Sequence, residues 1–389
     1  MEYKTSKPII LTCVDYYLPG FKAGGPLRTI SNMVAQIGEV IDFRIITRDR
    51  DATDAQPYPN VNVDAWNQVG QARVYYASPG HLSFRTLRAL VKTTAPDALY
   101  MNSFFSTLTI KCLALRRIGA LPDIPVVVAP RGEFSPGALA LKQKKKSLYI
   151  ALAKALGLYN NVLWQASSPV EQGDIRAVFG DRAQIHVAPN VPAAVRQQAV
   201  EPRAKSPGEA RFIFLSRISP KKNLHRLIEM LGALSGTITL SIVGPVRDEA
   251  HWQVCQQMIN RLPAHVQVEV LGSVPHEQVH VLLAGHHFFV LPTLGENFGH
   301  AILEALAAGV PVLISDQTPW RDLAQAGVGW DIFIEDAPQW RNVLQQCVDM
   351  SQTEYDRMSN NARAYAVEWT ADNSILQANR ELFAKAIAK

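Results

Sequence analysis

The sequence predicts an α/β protein of two doubly wound domains, each with a parallel sheet covered by helices on both faces. Short, unbroken apolar runs alternate with longer segments of helical period, which is typical of buried parallel strands. The alternation stops in a polar, proline-containing stretch at 192–209 and then resumes, so we place an interdomain linker there. A length of 389 residues also suits two domains of average size.

The first domain, 1–191, contains seven strand candidates separated by helical patterns. The apolar runs predict strands at 8–14, 42–47, 73–77, 98–101, 125–129, 162–166 and 184–188. Helical periodicity is visible at 27–37, 106–118 and 137–156. This order of strands and helices predicts a parallel sheet with helices on both faces.

The second domain, 210–370, repeats this organisation. The apolar runs predict strands at 211–215, 238–243, 266–271, 287–291 and 310–315. Helical patterns lie between them, for example at 223–234 and 300–308, and the chain is helical in pattern from 337 onward. We expect the two domains to face each other across a cleft, where the carboxyl ends of parallel strands bind ligands.

Composition excludes several classes of protein. Apolar residues make up 48 % of the chain, yet no apolar run approaches the roughly 18 residues that span a bilayer. The polar N-terminus shows no secretion signal, so we expect a cytoplasmic protein. The four cysteines are scattered without a C-x-x-C pair, so neither a disulfide framework nor a zinc site is predicted.

The net charge of +5 is concentrated in one segment. Residues 131–160 contain one arginine and five lysines against Glu133 alone. Within it, 137–158 has a helical pattern in which lysines are flanked by apolar residues. Two interpretations stay open, which are peripheral contact with the anionic inner face of the cell membrane and a solvated helix whose apolar side belongs to the core.

The most informative motif is the stretch 295–312, which follows a predicted strand and reads GENFGHAILEALAAGVPV. A strand, a glycine-containing loop and a helix form a common anion site, because free amide groups and the helix dipole attract negative charge at the helix start. Glu296 lies in the loop and Glu304 lies inside the helix, four residues after His300. Each carboxylate could accept hydrogen bonds from two vicinal sugar hydroxyls.

A second motif, FLSRISPKKN at 214–223, places cations at the end of a strand. Arg217 is in the loop, and Lys222 lies at the start of the next helical pattern. Because basic residues are unfavourable near a helix N-terminus, their presence suggests that they bind an anion. A run of solvated lysines is the alternative interpretation.

A third motif is the loop DYYLPGFKAGGPL at 15–27. Gly24 and Gly25 would allow the backbone to approach a ligand closely, and Pro26 suits the first turn of a helix. The spacing is not the G-x-G-x-x-G fingerprint of dinucleotide-binding proteins. A flexible loop without a ligand is the alternative.

Together these motifs resemble the retaining family-4 glycosyltransferases (glycosyl transferases group 1, GT-B fold) that act in bacterial surface polysaccharide biosynthesis. The stretch 295–312 resembles the E-x7-E motif of that family, and 217–222 resembles its R-x4-K element. The resemblance covers essentially the whole chain and is strongest at 210–330. The fold analogy also allows the last segment, 371–389, to be a helix that packs back on the first domain.

The resemblance implies a role for each matching residue. Arg217, Lys222 and Glu296 would form the catalytic group, in which the cations neutralise the leaving diphosphate and Glu296 contacts the donor sugar. The donor-binding residues implied are Gly24, Gly25, Val274, Asn297, Phe298, Gly299 and Glu304. Fixed cations would stabilise the leaving group without a metal ion, so no cofactor is expected.

The acceptor side is less well defined by the resemblance. Many members of the family carry a histidine in the first domain, where this chain offers Asn102, Arg131 and Glu133. We take these three residues as acceptor-side candidates, because each follows a predicted strand at the carboxyl edge of the sheet. In the second domain, Trp320 lies where relatives often carry a G-x-P-E element, so that side of the donor pocket is expected to differ.

The implied reaction moves a hexose or N-acetylhexosamine from a UDP- or GDP-sugar to a hydroxyl of a glycan or lipid-linked saccharide, with retention. Two alternatives stay open, which are a sugar-nucleotide epimerase of the same fold and a non-catalytic subunit that binds nucleotide-sugars. A nucleic-acid partner is not expected, because the basic cluster is short and lacks a known binding motif.

Overall fold

The computed structural model describes residues 7–140, 142–194 and 203–388. The chain divides into two compact units, and each is a doubly wound α/β domain. The first unit contains 1–193 together with 373–389, and the second contains 194–372. The predicted fold class is therefore confirmed, and the observed ends of the predicted strands differ from the expected ones by at most two residues.

The first unit is built on an eight-stranded sheet with the order β3-β4-β2-β1-β5-β6-β7-β8. The strands are β1 (Ile9–Cys13), β2 (Asp42–Arg48), β3 (Trp66–Val69), β4 (Ala72–Ala77), β5 (Ala98–Asn102), β6 (Val126–Ala129), β7 (Val162–Ala166) and β8 (Gln184–Val187). All pairings are parallel except that of β3 with β4. The sequence did not predict β3, because this short edge strand is only partly buried and lacks an apolar run.

Helices cover this sheet, and loops connect the carboxyl ends of its strands to the helices that follow. The helices are α1 (Gly25–Ile37), α2 (Phe84–Thr94), α3 (Thr107–Arg117), α4 (Pro136–Ala140), α5 (Gln143–Ala155), α6 (Pro169–Phe179) and the C-terminal α14 (Ser374–Ile387). Helix α14 packs on the first unit, where the Phe383 ring contacts Phe43 and Tyr100 at centroid distances of 5.9 and 5.2 Å. Its Asn379 also donates a hydrogen bond to the Pro189 carbonyl.

The basic segment differs from the single helix predicted at 137–156. It forms two helices, α4 and α5, separated by Lys142, whose φ of 56° is left-handed and cannot continue a right-handed helix. Position 141 lies outside the described residues. The Lys146 ammonium group folds back to the Ala138 carbonyl at 2.5 Å, which stabilises the turn between the two helices.

The second unit contains a six-stranded parallel sheet with the order β11-β10-β9-β12-β13-β14. Its strands are β9 (Glu209–Leu215), β10 (Thr237–Val243), β11 (Val266–Gly272), β12 (Phe288–Leu291), β13 (Val312–Ser315) and β14 (Gly329–Ile332). Its helices are α7 (Leu224–Leu231), α8 (Glu249–Ile259), α9 (His276–Ala284), α10 (His300–Ala307), α11 (Leu323–Ala326), α12 (Ala337–Asp349) and α13 (Gln352–Ala371). A 3-10 turn, Pro220–Lys222, precedes α7.

Strand β14, which begins at Gly329, was not predicted from the sequence. Gly329 has a φ of 151°, and a Cβ atom at this position would lie 2.0 Å from the Val312 carbonyl oxygen. The backbone of β14 therefore approaches β13 too closely for a side chain. A four-residue strand that begins with glycine carries little apolar signal in the sequence.

Residues 195–202 of the predicted linker, 192–209, lie outside the described residues. Residues 203–209 belong to the second unit. Arg203 is buried and donates to the carbonyls of His286, Ala308 and Gly309 at 3.0, 2.5 and 3.2 Å, and to the Tyr355 hydroxyl. Ala308 and Gly309 follow α10, so the guanidinium group satisfies carbonyls at the C-terminal end of that helix.

We expect Arg203→Met to destabilise the second unit by about 3 kcal/mol, because three buried carbonyl groups would lose a charged donor. Differential scanning calorimetry of the full chain would measure the loss as a lower melting temperature. The matched control is Arg341→Met, which changes an exposed arginine on α12. Equal melting temperatures for the two variants would contradict the role given to Arg203.

Candidate functional site

The loop 293–299, which follows β12, is held between the 3-10 turn and the end of β13. The Leu294 amide donates to the Lys221 carbonyl at 2.8 Å, and the Thr293 hydroxyl donates to the same oxygen at 3.2 Å. On the other side, the Glu296 amide donates to the Gln317 carbonyl at 2.9 Å. These backbone contacts fix the position of Glu296 at the carboxyl edge of the sheet.

Helix α10 starts directly after this loop and has no side-chain cap at its N-terminus. Its N-cap residue is Gly299, whose φ of 84° is left-handed and which supplies no side-chain acceptor for the first amide groups. The Phe298 carbonyl that precedes it accepts a hydrogen bond of 2.6 Å from the Trp320 indole. The helix start is therefore held in place while its amide groups can serve an anion.

Lys222 and Glu296 form an ion pair between the 3-10 turn and the loop. The Lys222 ammonium group donates to Oε1 of Glu296, and Lys222 is only 4 % exposed. Burial lowers the pKa of Lys222, whereas the charge of Glu296 and the hydrogen bond to it raise that pKa. The two residues predicted to contact the leaving group and the donor sugar are thus in direct contact.

Arg217 lies next to this pair, in the loop that follows β9. Its side chain is accessible to solvent, but the surrounding protein partly desolvates the guanidinium group and lowers its pKa. The charge of Glu296 opposes this effect, and the like charge of Arg247 adds to it. The structure therefore brings Arg217, Lys222 and Glu296 together and adds Arg247, which the sequence analysis did not single out.

Glu304 lies one helical turn further along α10 than His300 and close to the start of α9. Its Oε1 atom is 3.8 Å from Nδ1 of His276, and both side chains are partly exposed. Val274 lies two residues before His276, in the segment between β11 and α9. The second glutamate of the motif thus lies near the segment that contains Val274, which the resemblance also implies as a donor-binding residue.

An aromatic cluster packs against the loop 293–299. The Trp320 ring is 5.8 Å from Phe298 and 5.0 Å from Trp369 of α13, measured between ring centroids. Phe298 is buried, and its neighbour Asn297 is half-buried. Trp320, at the place where the sequence departs from the family pattern, therefore has a defined function in holding the loop 293–299.

In the first unit, the glycine loop is anchored by a buried carboxylate. Oδ2 of Asp51 accepts hydrogen bonds from the amides of Phe21 and Lys22 at 2.6 and 2.9 Å, and Asp51 is 3 % exposed. Gly24 has a left-handed φ of 79°, and Gly25 begins helix α1. Asp51 was not predicted from the sequence, because it is distant from the glycine loop in the chain and follows β2 without a recognisable motif.

Two acceptor-side candidates, Asn102 and Arg131, contact each other at the ends of β5 and β6. Oδ1 of Asn102 accepts hydrogen bonds of 3.2 and 2.8 Å from Nε and NH2 of Arg131. The guanidinium group also donates to the Tyr100 hydroxyl at 2.5 Å and to Oδ1 of Asn190. These contacts lie within the first unit, and the acceptor role of Asn102 and Arg131 stays a prediction.

The third candidate, Glu133, is engaged with the loop that follows β5. Its carboxylate accepts hydrogen bonds from the Ser103 hydroxyl at 2.6 Å and from the amides of Phe104 and Phe105 at 2.5 and 3.4 Å. Burial raises the pKa of Glu133 to about 7, although these hydrogen bonds partly oppose the rise. Glu133 therefore titrates near neutral pH, and its acceptor role also stays a prediction.

Neither a metal cluster nor a membrane span is found in the part of the chain that the structure describes. There, no group of three or more histidine, cysteine, aspartate or glutamate residues is arranged to hold a metal ion. None of the described helices is both long enough and apolar enough to cross a membrane.

Known proteins resemble this chain in sequence and in fold. Residues 195–365 match the family Glycosyl transferases group 1. O-antigen chain mannosyltransferase B of Escherichia coli is 29 % identical over 164 residues, which is 40 % of this chain and 42 % of the relative. The chain spans less than half the length of the curated relatives it matches.

Two solved structures share the fold over nearly the whole chain. Sucrose-phosphate synthase from Thermosynechococcus elongatus has a TM-score of 0.72 at 17 % identity, with 97 % of this chain and 100 % of that chain covered. Anabaena Alr3699/HepE, solved in complex with UDP and glucose, has a TM-score of 0.67 at 17 % identity, with coverages of 98 % and 100 %. At this identity the similarity establishes the fold alone.

The raised pKa of Glu133 predicts a pH effect on stability. Because the folded state binds this proton more tightly than the unfolded chain, the free energy of unfolding should fall as the pH rises from about 4.5 to about 7. The loss should be roughly 3 kcal/mol over this range. Glu133→Gln should abolish this pH-dependent loss of stability, so the melting temperature of the variant should depend less on pH than that of the wild type.

Thermal melts of both proteins at a series of pH values between roughly 4.5 and 8 would measure this difference. The control is Glu335→Gln, which changes an exposed glutamate of the second unit. If wild type and Glu133→Gln lost stability in parallel as the pH rose through this range, Glu133 would not be the titrating group.

Proposed function

We propose that this chain, whose residues 195–365 match the glycosyl transferases group 1 family, transfers a sugar from a nucleoside diphosphate to a hydroxyl group. The observation that supports this proposal most directly is the ion pair of Lys222 and Glu296, which lies beside Arg217 and the start of α10. Cations next to the amide groups of a helix N-terminus suit a diphosphate. A carboxylate at the same place suits the hydroxyl groups of the attached sugar.

The proposed mechanism relies on charge and position. As the bond between sugar and diphosphate breaks, Arg217 and Lys222 would stabilise the negative charge that builds up on the leaving group. Glu296 would hold the donor sugar through its hydroxyl groups, and Glu304 would bind the ribose. The acceptor hydroxyl would attack on the face that the diphosphate leaves, and a phosphate oxygen would take its proton, so that the configuration is retained without a metal ion.

The donor and acceptor classes rest on similarity. Anabaena Alr3699/HepE was solved with UDP and glucose, and the Escherichia coli relative is named as a mannosyltransferase. We therefore propose a UDP- or GDP-linked hexose or N-acetylhexosamine as donor. The same relative acts on O-antigen chains according to its name, so we propose a glycan or a lipid-linked saccharide as acceptor.

We expect Lys222→Ala to reduce the turnover number by ~10²-fold or more, because the leaving diphosphate would lose a fixed positive charge. The assay would follow release of UDP or GDP from the matching sugar nucleotides in the presence of a saccharide acceptor panel. Since removal of Lys222 also leaves Glu296 without its ion-pair partner, Lys222→Met with Glu296→Gln serves as a second variant. Near-normal turnover in both variants would refute the assignment.

Nucleotide binding can be measured before an acceptor is known. A nucleotide present at about 100 times its dissociation constant should stabilise the protein by about 2.7 kcal/mol. Melting temperatures with UDP, GDP and ADP would therefore identify the base, and Arg217→Ala with Lys222→Ala should abolish the shift. Absence of any shift in well-folded wild type would refute the proposed donor site.

The same measurements separate the alternatives. An epimerase of this fold would convert the sugar nucleotide without an acceptor. A non-catalytic subunit would show the thermal shift with a nucleotide-sugar but no release of nucleotide with any acceptor. Release of nucleotide that depends on the acceptor supports the transferase.

We also propose that α5 binds an anionic membrane surface. Leu148, Leu152 and Leu156 are spaced by one helical turn and are 72, 54 and 55 % exposed, so they do not belong to the core. Lys144 and Lys145 are exposed on the preceding turn. A stripe of exposed leucines beside lysines is typical of helices that lie at a membrane interface.

Co-sedimentation with phosphatidylcholine vesicles, with and without phosphatidylglycerol, would test this proposal. Wild type should bind only the anionic vesicles, and Lys144→Glu with Lys145→Glu should weaken binding by at least ~10-fold, since each lysine contributes about 1 kcal/mol. Leu148→Ser should weaken it as well, whereas Val281→Ser, at an equally exposed site of the second unit, should not. Absence of wild-type binding at low salt would exclude the membrane role.

A further inference from the structure

The segment 244–247, which follows β10, runs beside the loop that carries Arg217. The Ile218 amide donates to the Pro245 carbonyl at 2.9 Å, and the Arg247 amide donates to the Ile218 carbonyl at 3.0 Å. Ile218 and Val246 thereby form a short parallel bridge beyond the ends of β9 and β10. The backbone, and not the Arg247 side chain, provides these bonds, so they persist when that side chain is replaced.

The bridge determines the direction of the arginine side chains. Successive side chains along an extended segment point to opposite faces. Ile218 is 1 % exposed and points into the core, so the residues that flank the bridge, Arg217 and Arg247, share the opposite face. Both arginines are solvent-exposed there.

Three adjacent strands thus direct charged groups to one place. Arg247 follows β10, Arg217 and Lys222 follow β9, and Glu296 follows β12, and these strands are neighbours in the sheet. Burial lowers the pKa of Arg217, the charge of Glu296 opposes this effect, and the like charge of Arg247 makes a smaller contribution that lowers the pKa further. Two like charges held together by the backbone repel each other, and an anion with more than one negative charge would relieve this repulsion.

We propose that Arg247 is a third cation of the donor site and binds the diphosphate group together with Arg217 and Lys222. This inference rests on the proposed function and assigns Arg247 to the phosphates, not to the base or the ribose. Arg247 should therefore contribute to the affinity for nucleoside diphosphates and contribute little to the affinity for nucleosides. It should also make diphosphate binding more dependent on ionic strength.

Isothermal titration calorimetry with uridine, UMP and UDP, and with guanosine, GMP and GDP, would test this assignment. We expect Arg247→Ala to weaken binding of the preferred diphosphate by about 10-fold, the effect of losing one charge-assisted contact, and to leave nucleoside binding within about 2-fold. Arg247→Lys should restore part of the loss. Arg261→Ala, which removes an exposed arginine near the end of α8, is the matched control and should bind like wild type.

The melting temperature of the ligand-free variant gives an independent readout. Because backbone atoms make the bridge between Ile218 and Val246, the melting temperature of Arg247→Ala should stay close to that of wild type. A merely structural role of Arg247 would lower the melting temperature and weaken nucleoside and diphosphate binding alike, and that result would overturn the proposal.

Two further outcomes separate this proposal from the proposed function. Wild type that binds neither diphosphate would refute the donor site as a whole, and the assignment of Arg247 with it. Wild type that binds a diphosphate with the same affinity as Arg247→Ala would leave the donor site in place and overturn the role of Arg247 alone.

Discussion

The ion pair between Lys222 and Glu296 is the interaction on which the organisation of the second unit's candidate site depends. Both charges lie in a largely buried position, where an unpaired charge would be strongly destabilising. The pair joins the turn after β9 to the loop after β12. The Leu294 amide and the Thr293 hydroxyl join the same two segments by donating to the Lys221 carbonyl. A donor bound here as proposed would exchange part of this internal pairing for its own hydroxyl and phosphate groups.

The two ends of helix α10, which follows this loop, have different hydrogen-bond partners. Arg203 donates to carbonyls at its C-terminal end, where a positive charge is favourable to the helix dipole. The N-terminal end begins at Gly299 without a side-chain cap, and the Trp320 indole fixes the residue before it. A side-chain cation thus binds the C-terminal end, whereas the N-terminal end has no side-chain cap and faces the candidate site. Arg217 and Arg247 add positive charge on the neighbouring strands.

The first unit uses buried polar groups in another way. Asp51 binds the amides before the glycine loop, Glu133 binds the amides after β5, and Arg131 joins Asn102 to Asn190. Each group holds a loop at the carboxyl edge of the sheet by satisfying backbone or side-chain atoms that would otherwise be buried without partners. Substitutions at these positions should therefore be assessed for loop structure and stability before an effect on the acceptor is inferred.

The sequence by itself determined the fold class and most strands, because unbroken apolar runs between helical segments are a local signal of buried parallel strands. It also singled out Arg217, Lys222, Glu296 and Glu304 as candidate site residues, because their motifs are contiguous. Only the tertiary structure decided that Lys222 pairs with Glu296, that the segment of Arg247 runs beside that of Arg217 and that α14 packs on the first unit. Those contacts depend on the order of strands in the sheets. A local sequence pattern does not reveal this order, because the strands that become neighbours are far apart in the chain.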